Sequence, residues 1–234
     1  MIEDLDKYRL ELQNTQYSYS QTLQDSFALA VNQYKFNGVC VDIGSASPHD
    51  MFNNTKLLQL YKWQCIGSDL NNYTDSWKGY PYFDFTSLNC TKQSSIDLLF
   101  SKSGNKIDYL SLDIDDFTID ALRLIDFNII KIKCITIEHN KYLGHRGEQR
   151  HEQRKILEKA GYIMMVKNFH GYEDWWINPK LVNYEDVEHW GILSESQFNT
   201  NMDLDEILPH HQDNIDRDRN NFDKTTYRLL HNLN

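Results

Sequence analysis

The side chains able to do chemistry fall at the ends of apolar runs. VCVDIGSASP (39–48) stops at Asp42, Gly44 and Ser45, and QCIGSD stops at Asp69. YPYFDF carries Asp84, KIDYLSLDI leads into Asp113, Asp115 and Asp116, and KIKCITIEH ends on Glu138 and His139. In an open α/β sheet, ligands bind beyond the carboxyl ends of the strands. If these runs are strands, their ends form an acidic crevice with one imidazole.

A row of acids repels phosphate. Dinucleotide sites use G-x-G-x-x-G, and P-loops use G-x-x-x-x-G-K-S/T, so that backbone N–H groups can cradle phosphate. Asp42–Pro48 has neither pattern. A nucleoside with a cationic tail fits better, and S-adenosylmethionine is such a ligand. Its sulfonium and ammonium suit carboxylates, and it carries no phosphate. Gly44 lets backbone pass close to it. Asp69 can accept both ribose hydroxyls, and Asp42 or Asp113 can hold the ammonium through charge-assisted bonds.

The elements around these ends read as alternating strands and helices. Residues 1–35 predict a helical segment in two pieces, with Ser20 capping a helix through Leu23, Phe27 and Val31. Asn53 or Asn54 caps a helix containing Leu57, Leu58 and Tyr61. Helices are also expected over 94–103, from Thr118, and over 148–160 with Gly161 as its C-cap. Tyr162–Lys167 and Asp174–Asn178 read as a terminal hairpin. The pattern implies a mostly parallel sheet with an antiparallel end. Three segments result: a helical 1–35, a core over 36–180, and a partly irregular extension over 181–234.

The 234 residues carry a formal net charge of −10, which argues against a nucleic-acid partner. Arg146, Arg150, Arg154, Lys155 and Lys159 form the only basic group of note, read here as a solvated helix face. The four cysteines show no C-x-x-C spacing, so a zinc site is not expected, and a reduced, cytoplasmic compartment is. No run approaches the roughly 18 apolar residues of a membrane span.

The ordered set SQTLQDSFAL, VDIGSASP, NNTKLL, IGSD, IDYLSLDIDD, ITIEHN, ILEKAGY and EDWWINP, over Ser20–Pro179, resembles FkbM-like S-adenosylmethionine-dependent methyltransferases. The resemblance implies a Rossmann-like class I fold with a seven-stranded sheet, and O-methylation of a saccharide or other small hydroxylated acceptor. It implies that Gln24 and Asp25 lie near the cofactor, that Asp42, Gly44 and Ser45 line its methionine part, and that Asp69 lines its ribose. Asn54 belongs to the loop over the site, and Asp113 lies beside the methionine moiety or a metal. The chain departs from the family where Asp116 replaces a usual glycine, which bears on the local turn and on Asp115.

An acceptor hydroxyl must lose its proton. His139 is the candidate general base, with Asp115 as a second catalytic candidate. Alternatively, Mg²⁺ or Mn²⁺ held by Asp113, Glu138 and His139 could lower the hydroxyl pKa. Tyr142, His145, Arg146, Trp175 and Trp176 are expected to meet the acceptor, with one tryptophan in the core and its neighbour near the rim. Two other readings stay open: a nucleic-acid methyltransferase of the same fold, and a non-catalytic cofactor-binding or scaffold protein. A homo-oligomer is compatible with all three.

Overall fold

Short apolar runs become the strands, and β1, β2, β4 and β5 stop at or beside an acid. In a computed structural model, which describes residues 18–50, 52–139, 147–169 and 172–187, seven strands form one sheet. They are β1 (Val39–Ile43), β2 (Gln64–Asp69), β3 (Phe83–Ser87), β4 (Lys106–Leu112), β5 (Lys131–Glu138), β6 (Ile163–Phe169) and β7 (Glu173–Ile177). Their order is β3-β2-β1-β4-β5-β7-β6. The first five are mutually parallel, and β7 runs antiparallel to both β5 and β6. The chain leaves β1 toward one edge and returns through β4 toward the other. The crevice between β1 and β4 is therefore the topological switch point, where such sheets bind ligands.

The helices are α1 (Gln24–Val31), α2 (Lys56–Leu60), α3 (Gln93–Ser103), α4 (Thr118–Arg123) and α5 (Gly147–Lys159). The expected strand and helix order is present. One face of the sheet buries Val41, Ile43, Ile66, Leu110, Ile135 and Trp176 against Ile96 and Leu99 of α3, Leu122 of α4 and Leu157 of α5. The other face is covered by α1, whose Phe27 ring lies 4.9 Å from Trp175. With both faces covered, the strands bury side chains on both sides, as parallel sheets do.

Two local expectations are corrected. Ser20 does not cap α1; the helix starts at Gln24 after Leu23, which takes φ 69°. Ser20 donates its hydroxyl to Asp25 Oδ1 at 2.8 Å instead. Trp175 and Trp176 are both in the core, 0% and 1% exposed. They do point to opposite faces, but each face is roofed. Asn53 does cap α2: its Oδ1 accepts from the N–H of Thr55 at 3.0 Å and of Lys56 at 3.1 Å. No helix among the described residues is long and apolar enough to cross a membrane.

Candidate active site at the strand ends

Gly44 is the tightest point of the crevice. Its φ is 96°, in the region that favours glycine, and a Cβ there would run into the backbone oxygen of Asp113. The backbone is fixed from the other side as well. Gly44 N–H and Ser45 N–H both donate to Ser68 O, at 2.8 and 3.0 Å. Asp113 N–H donates to Ile43 O at 2.9 Å, so the ends of β1, β2 and β4 are tied together.

The loop that follows is anchored by an aromatic stack. Trp77 lies flat on Phe83, with centroids 3.5 Å apart and planes 9° from parallel. Its Nε1–H donates to Ala46 O at 3.0 Å. Asp69 receives Ala46 N–H on Oδ2 at 3.3 Å and Asn71 N–H on Oδ1 at 2.8 Å, which orients the carboxylate beside the Gly44 turn. Ser45 is 4% exposed, and its buried Oγ makes no hydrogen bond, so a donor and acceptor stand ready there. Trp77→Ala should cost about 3–5 kcal/mol in urea unfolding. Trp77→Phe, which keeps the stack, should cost about 1 kcal/mol.

Next to the turn, Asp42 is 3% exposed. Burial pushes its pKa up to about 7; a hydrogen bond with Ser111 opposes the rise, and Asp113 and Asp69 add to it. Asn54 Nδ2 donates to Ser111 Oγ at 2.9 Å, so the loop carrying Asn54 closes onto the same hydroxyl. Asp113 and Glu138 share a hydrogen bond between carboxyl groups, and burial raises the pKa of both. Together they hold a proton at neutral pH.

The strand-end reading missed one acid. Glu173 opens β7 directly opposite Glu138, the last residue of β5. It is 3% exposed and accepts from Thr22 Oγ1 at 2.8 Å, Gln24 Nε2 at 3.2 Å and Trp175 Nε1 at 2.9 Å. Burial pushes its pKa up to about 7, against those bonds and with help from Asp113. The signal was its place at the amino end of an antiparallel strand, which lies beside the carboxyl ends of the parallel ones.

The remaining candidates fall elsewhere. Gln24 reaches the site through Glu173. Asp25 is fully buried and turned toward its own loop, accepting from Ser18 Oγ, Ser20 Oγ and the N–H groups of Tyr19 and Ser26. Asp84 is the second residue of β3, not its end, and pairs with Lys102 Nζ at 2.9 Å. Asp115 is exposed in a turn at φ 52°, a left-handed conformation that Asp tolerates. Tyr142, His145 and Arg146 lie outside the described residues.

His139 does not join Asp113 and Glu138. Next to Glu138 at the end of β5, its imidazole turns to the other side of the sheet, where Nε2 lies 3.8 Å from Asp174 Oδ1. Among the described residues, no three His, Cys, Asp or Glu side chains converge as a metal shell. The proposed Asp113–Glu138–His139 set therefore does not fit a metal ion. The basic helix face is corrected too: Arg150 is 3% exposed and bonds Asn168, and Arg154 bonds Asp174 and Asn168. Neither presents its charge to a nucleic acid.

Against solved structures the likenesses are distant. The MycE methyltransferase from the mycinamycin biosynthetic pathway, in complex with Mg and SAH, is 10% identical over 75% of this chain and 53% of that chain, with a TM-score of 0.47. A second crystal form gives 10%, 74%, 54% and 0.44. A Plasmodium falciparum protein assigned provisionally as a ribosomal RNA methyltransferase is 17% identical over 67% of this chain and 94% of that one, with a TM-score of 0.42. The chain spans about half the length of MycE. Comparison with curated proteins returns no match. The Methyltransferase FkbM domain matches residues 10–164, about two thirds of the chain, which is the span that carries β1 to β5 and their acidic ends. The chain belongs to the FkbM methyltransferase family.

Proposed function

We propose that the chain transfers the methyl group of S-adenosylmethionine to a hydroxyl of a small acceptor, a saccharide being the favoured class. The observation that carries this reading is the row of carboxyls beside the Gly44 turn, Asp42 and Glu173 buried and Asp113 and Glu138 half-buried, whose pKa values are all raised by desolvation. Such a set is costly unless protons or a cationic ligand offset it. A zwitterion with a sulfonium supplies the offsetting charge.

In this reading Asp42 and Asp113 hold the ammonium, Asp69 accepts the ribose hydroxyls, and Ser45 Oγ gains the partner it lacks. Asn54 closes the loop over the methionine part. The cofactor supplies an electrophilic methyl group, whose bond to sulfur breaks with its electron pair as the acceptor oxygen bonds to carbon. Much of the rate comes from holding donor and acceptor in line. The acceptor's proton passes to a carboxylate on the β4–β5–β7 side. Glu173, titrating near 7, is matched to that task at neutral pH. His139, on the far face, serves the fold of the β5 end instead. The inward turn of Arg150 and Arg154 disfavours a nucleic-acid acceptor.

The test is transfer of labelled methyl from S-adenosylmethionine to panels of saccharides, small phenols and RNA, each with Mg²⁺, Mn²⁺ or chelator. Label in saccharide that is lost in Glu173→Gln supports the reading. Label in RNA alone contradicts it. Cofactor binding with no transfer in any panel favours a binding or scaffold role.

A further inference from the structure

Behind the carboxyl row, on the opposite face of the sheet, lies a second buried polar cluster that the chemistry above does not use. Its centre is Arg154 of α5. Arg154 Nε and Nη2 donate to Asp174 Oδ2 and Oδ1 at 2.7 and 2.8 Å. Arg154 Nη2 also donates to Asn168 Oδ1 at 2.8 Å, where Arg150 Nη1 joins it at 2.9 Å. Asn168 N–H donates to Asp174 Oδ1 at 2.8 Å. The neighbouring residue of α5, Gln153, donates its Nε2 to Glu138 O at 3.1 Å.

These bonds converge on one rung. Glu138 pairs with Glu173 at the end of the β5–β7 ladder, and Asp174 is the next residue of β7. The β6–β7 ladder is irregular just here, with a register shift between Val166 and Phe169 and Asn168 at φ 53°. The β5–β7 ladder holds this rung in regular register on one side. On the β6 side, where pairing is irregular, side chains from α5 tie Asn168 and Asp174 together instead.

We propose that Arg154 and Gln153 are positioning residues for methyl transfer, forming a brace that fixes the Glu138–Glu173 rung so that both carboxyls stand beside Asp113. The choice of residue supports this. A buried ion pair is a weak source of stability, and an apolar contact of similar volume would hold α5 as well. A guanidinium fork instead fixes two acceptors on two strands in direction as well as distance. Asp113 and Glu173 face Glu138 from β4 and β7, and Asp115 adds charge from the turn after β4. A small rotation of the rung would separate Glu138 from Asp113.

The inference rests on the reading of this carboxyl row as the acceptor side of the site. Its test uses the full chain with ¹³C-labelled glutamate carboxyls, assigned through Glu138→Gln and Glu173→Gln. Arg154→Lys and Gln153→Met are compared with the parent by carboxyl NMR titration, thermal unfolding and calorimetric titration with S-adenosylhomocysteine. The second variant keeps side-chain volume and removes no charge, so it remains informative where Arg154→Lys fails to fold. The expected result is a fall of about one unit or more in the Glu138 midpoint, toward the ordinary carboxyl range. S-adenosylhomocysteine affinity should stay within about threefold, because Asp42, Gly44 and Asp69 stand on β1 and β2. Unmoved Glu138 and Glu173 midpoints in a folded variant would overturn the brace, whatever happens to thermal stability. A parent protein that binds no S-adenosylhomocysteine would overturn the site reading instead, and the titration would still decide the brace.

Discussion

Gly44→Ala is expected to abolish S-adenosylhomocysteine binding and to destabilise the chain by at least about 3 kcal/mol. Two effects add at this position. A side chain at φ 96° is strained in itself, and the new Cβ is driven into the backbone oxygen of Asp113, with Ile114 Cγ2 also close. Backbone cannot yield as the tip of a flexible side chain does. Gly44 and Ser45 are both bonded to Ser68 O, and Asp113 is bonded to Ile43 O, so the loop and strand ends have no slack. Relief must come from parting β1 and β4 at the switch point, which is where the cofactor would lie. Calorimetric titration and urea unfolding read the two effects separately. Parent-like affinity in the variant would show that the turn is not part of the binding site.

Asp42→Asn should do two opposite things: lose ligand affinity by about 100-fold and raise stability at pH 8. The side chain is almost fully buried, and its pKa is pushed from an ordinary 3.8 to about 7. Between those values the unfolded chain has lost the proton and the folded chain has kept it. The folded state then binds more protons, so stability falls as pH rises through this window and levels off above about 7. The penalty at pH 8 is on the order of 4 kcal/mol. Asparagine removes it and still presents polar atoms to Ser111. The same change deletes the charge that would pair with the ligand's ammonium, and a buried, charge-assisted pair is worth about 2–5 kcal/mol. Urea unfolding at pH 5 and pH 8 should therefore show the variant ahead by about 2 kcal/mol at pH 5 and by about 4 kcal/mol at pH 8. A variant less stable than the parent at both pH values would mean that Asp42 is a structural hydrogen-bond acceptor.

Much of the parallel half of the fold is legible because each buried strand ends on an unmistakable polar residue. Asp42, Asp69, Asp113 and Glu138 mark the ends of four apolar runs, and the structure brings those ends to one edge of the sheet. The antiparallel half is less legible, for a physical reason. The strand-end rule was applied to carboxyl ends only, whereas β7 points the other way and delivers Glu173 by its amino end. The pleat explains a second difference. Glu138 and His139 are neighbours in sequence, so they cannot share a face of the sheet, and they meet Asp113 and Asp174 respectively.

Burial of polar groups is the third thing the sequence hides. QRHEQRK reads as a solvated helical surface, yet Gln153 is fully buried and Arg150 nearly so, with Gln153 Nε2 donating to Glu138 O and Arg150 Nη1 to Asn168 Oδ1, while Arg154 beside them bonds Asp174. No residue pattern announces such partners when they lie 14 to 20 residues away on the strands the helix packs against. The tryptophans err in the opposite direction. One tryptophan of the pair was expected near the rim, and instead Trp175 packs between Phe27 and Phe169 at 4.9 and 4.5 Å, while Trp176 joins the opposite core. The second strand of the hairpin is interior in space, since β7 lies between β5 and β6 and leaves β6 as the edge strand.

The central claim is that the buried carboxyls at the switch point exist to hold a cationic nucleoside. Calorimetric titration with S-adenosylhomocysteine and with S-adenosylmethionine, at pH 6 and pH 8 in buffers of different ionisation enthalpy, tests it most directly. The account predicts micromolar binding of both, tighter at pH 8, with proton release at pH 6 as Asp42 loses its proton to the buffer and pairs as a carboxylate with the incoming ammonium. It also predicts tighter binding of the sulfonium than of the thioether. Binding that is absent at both pH values, or that is unchanged in Asp42→Asn, would contradict it.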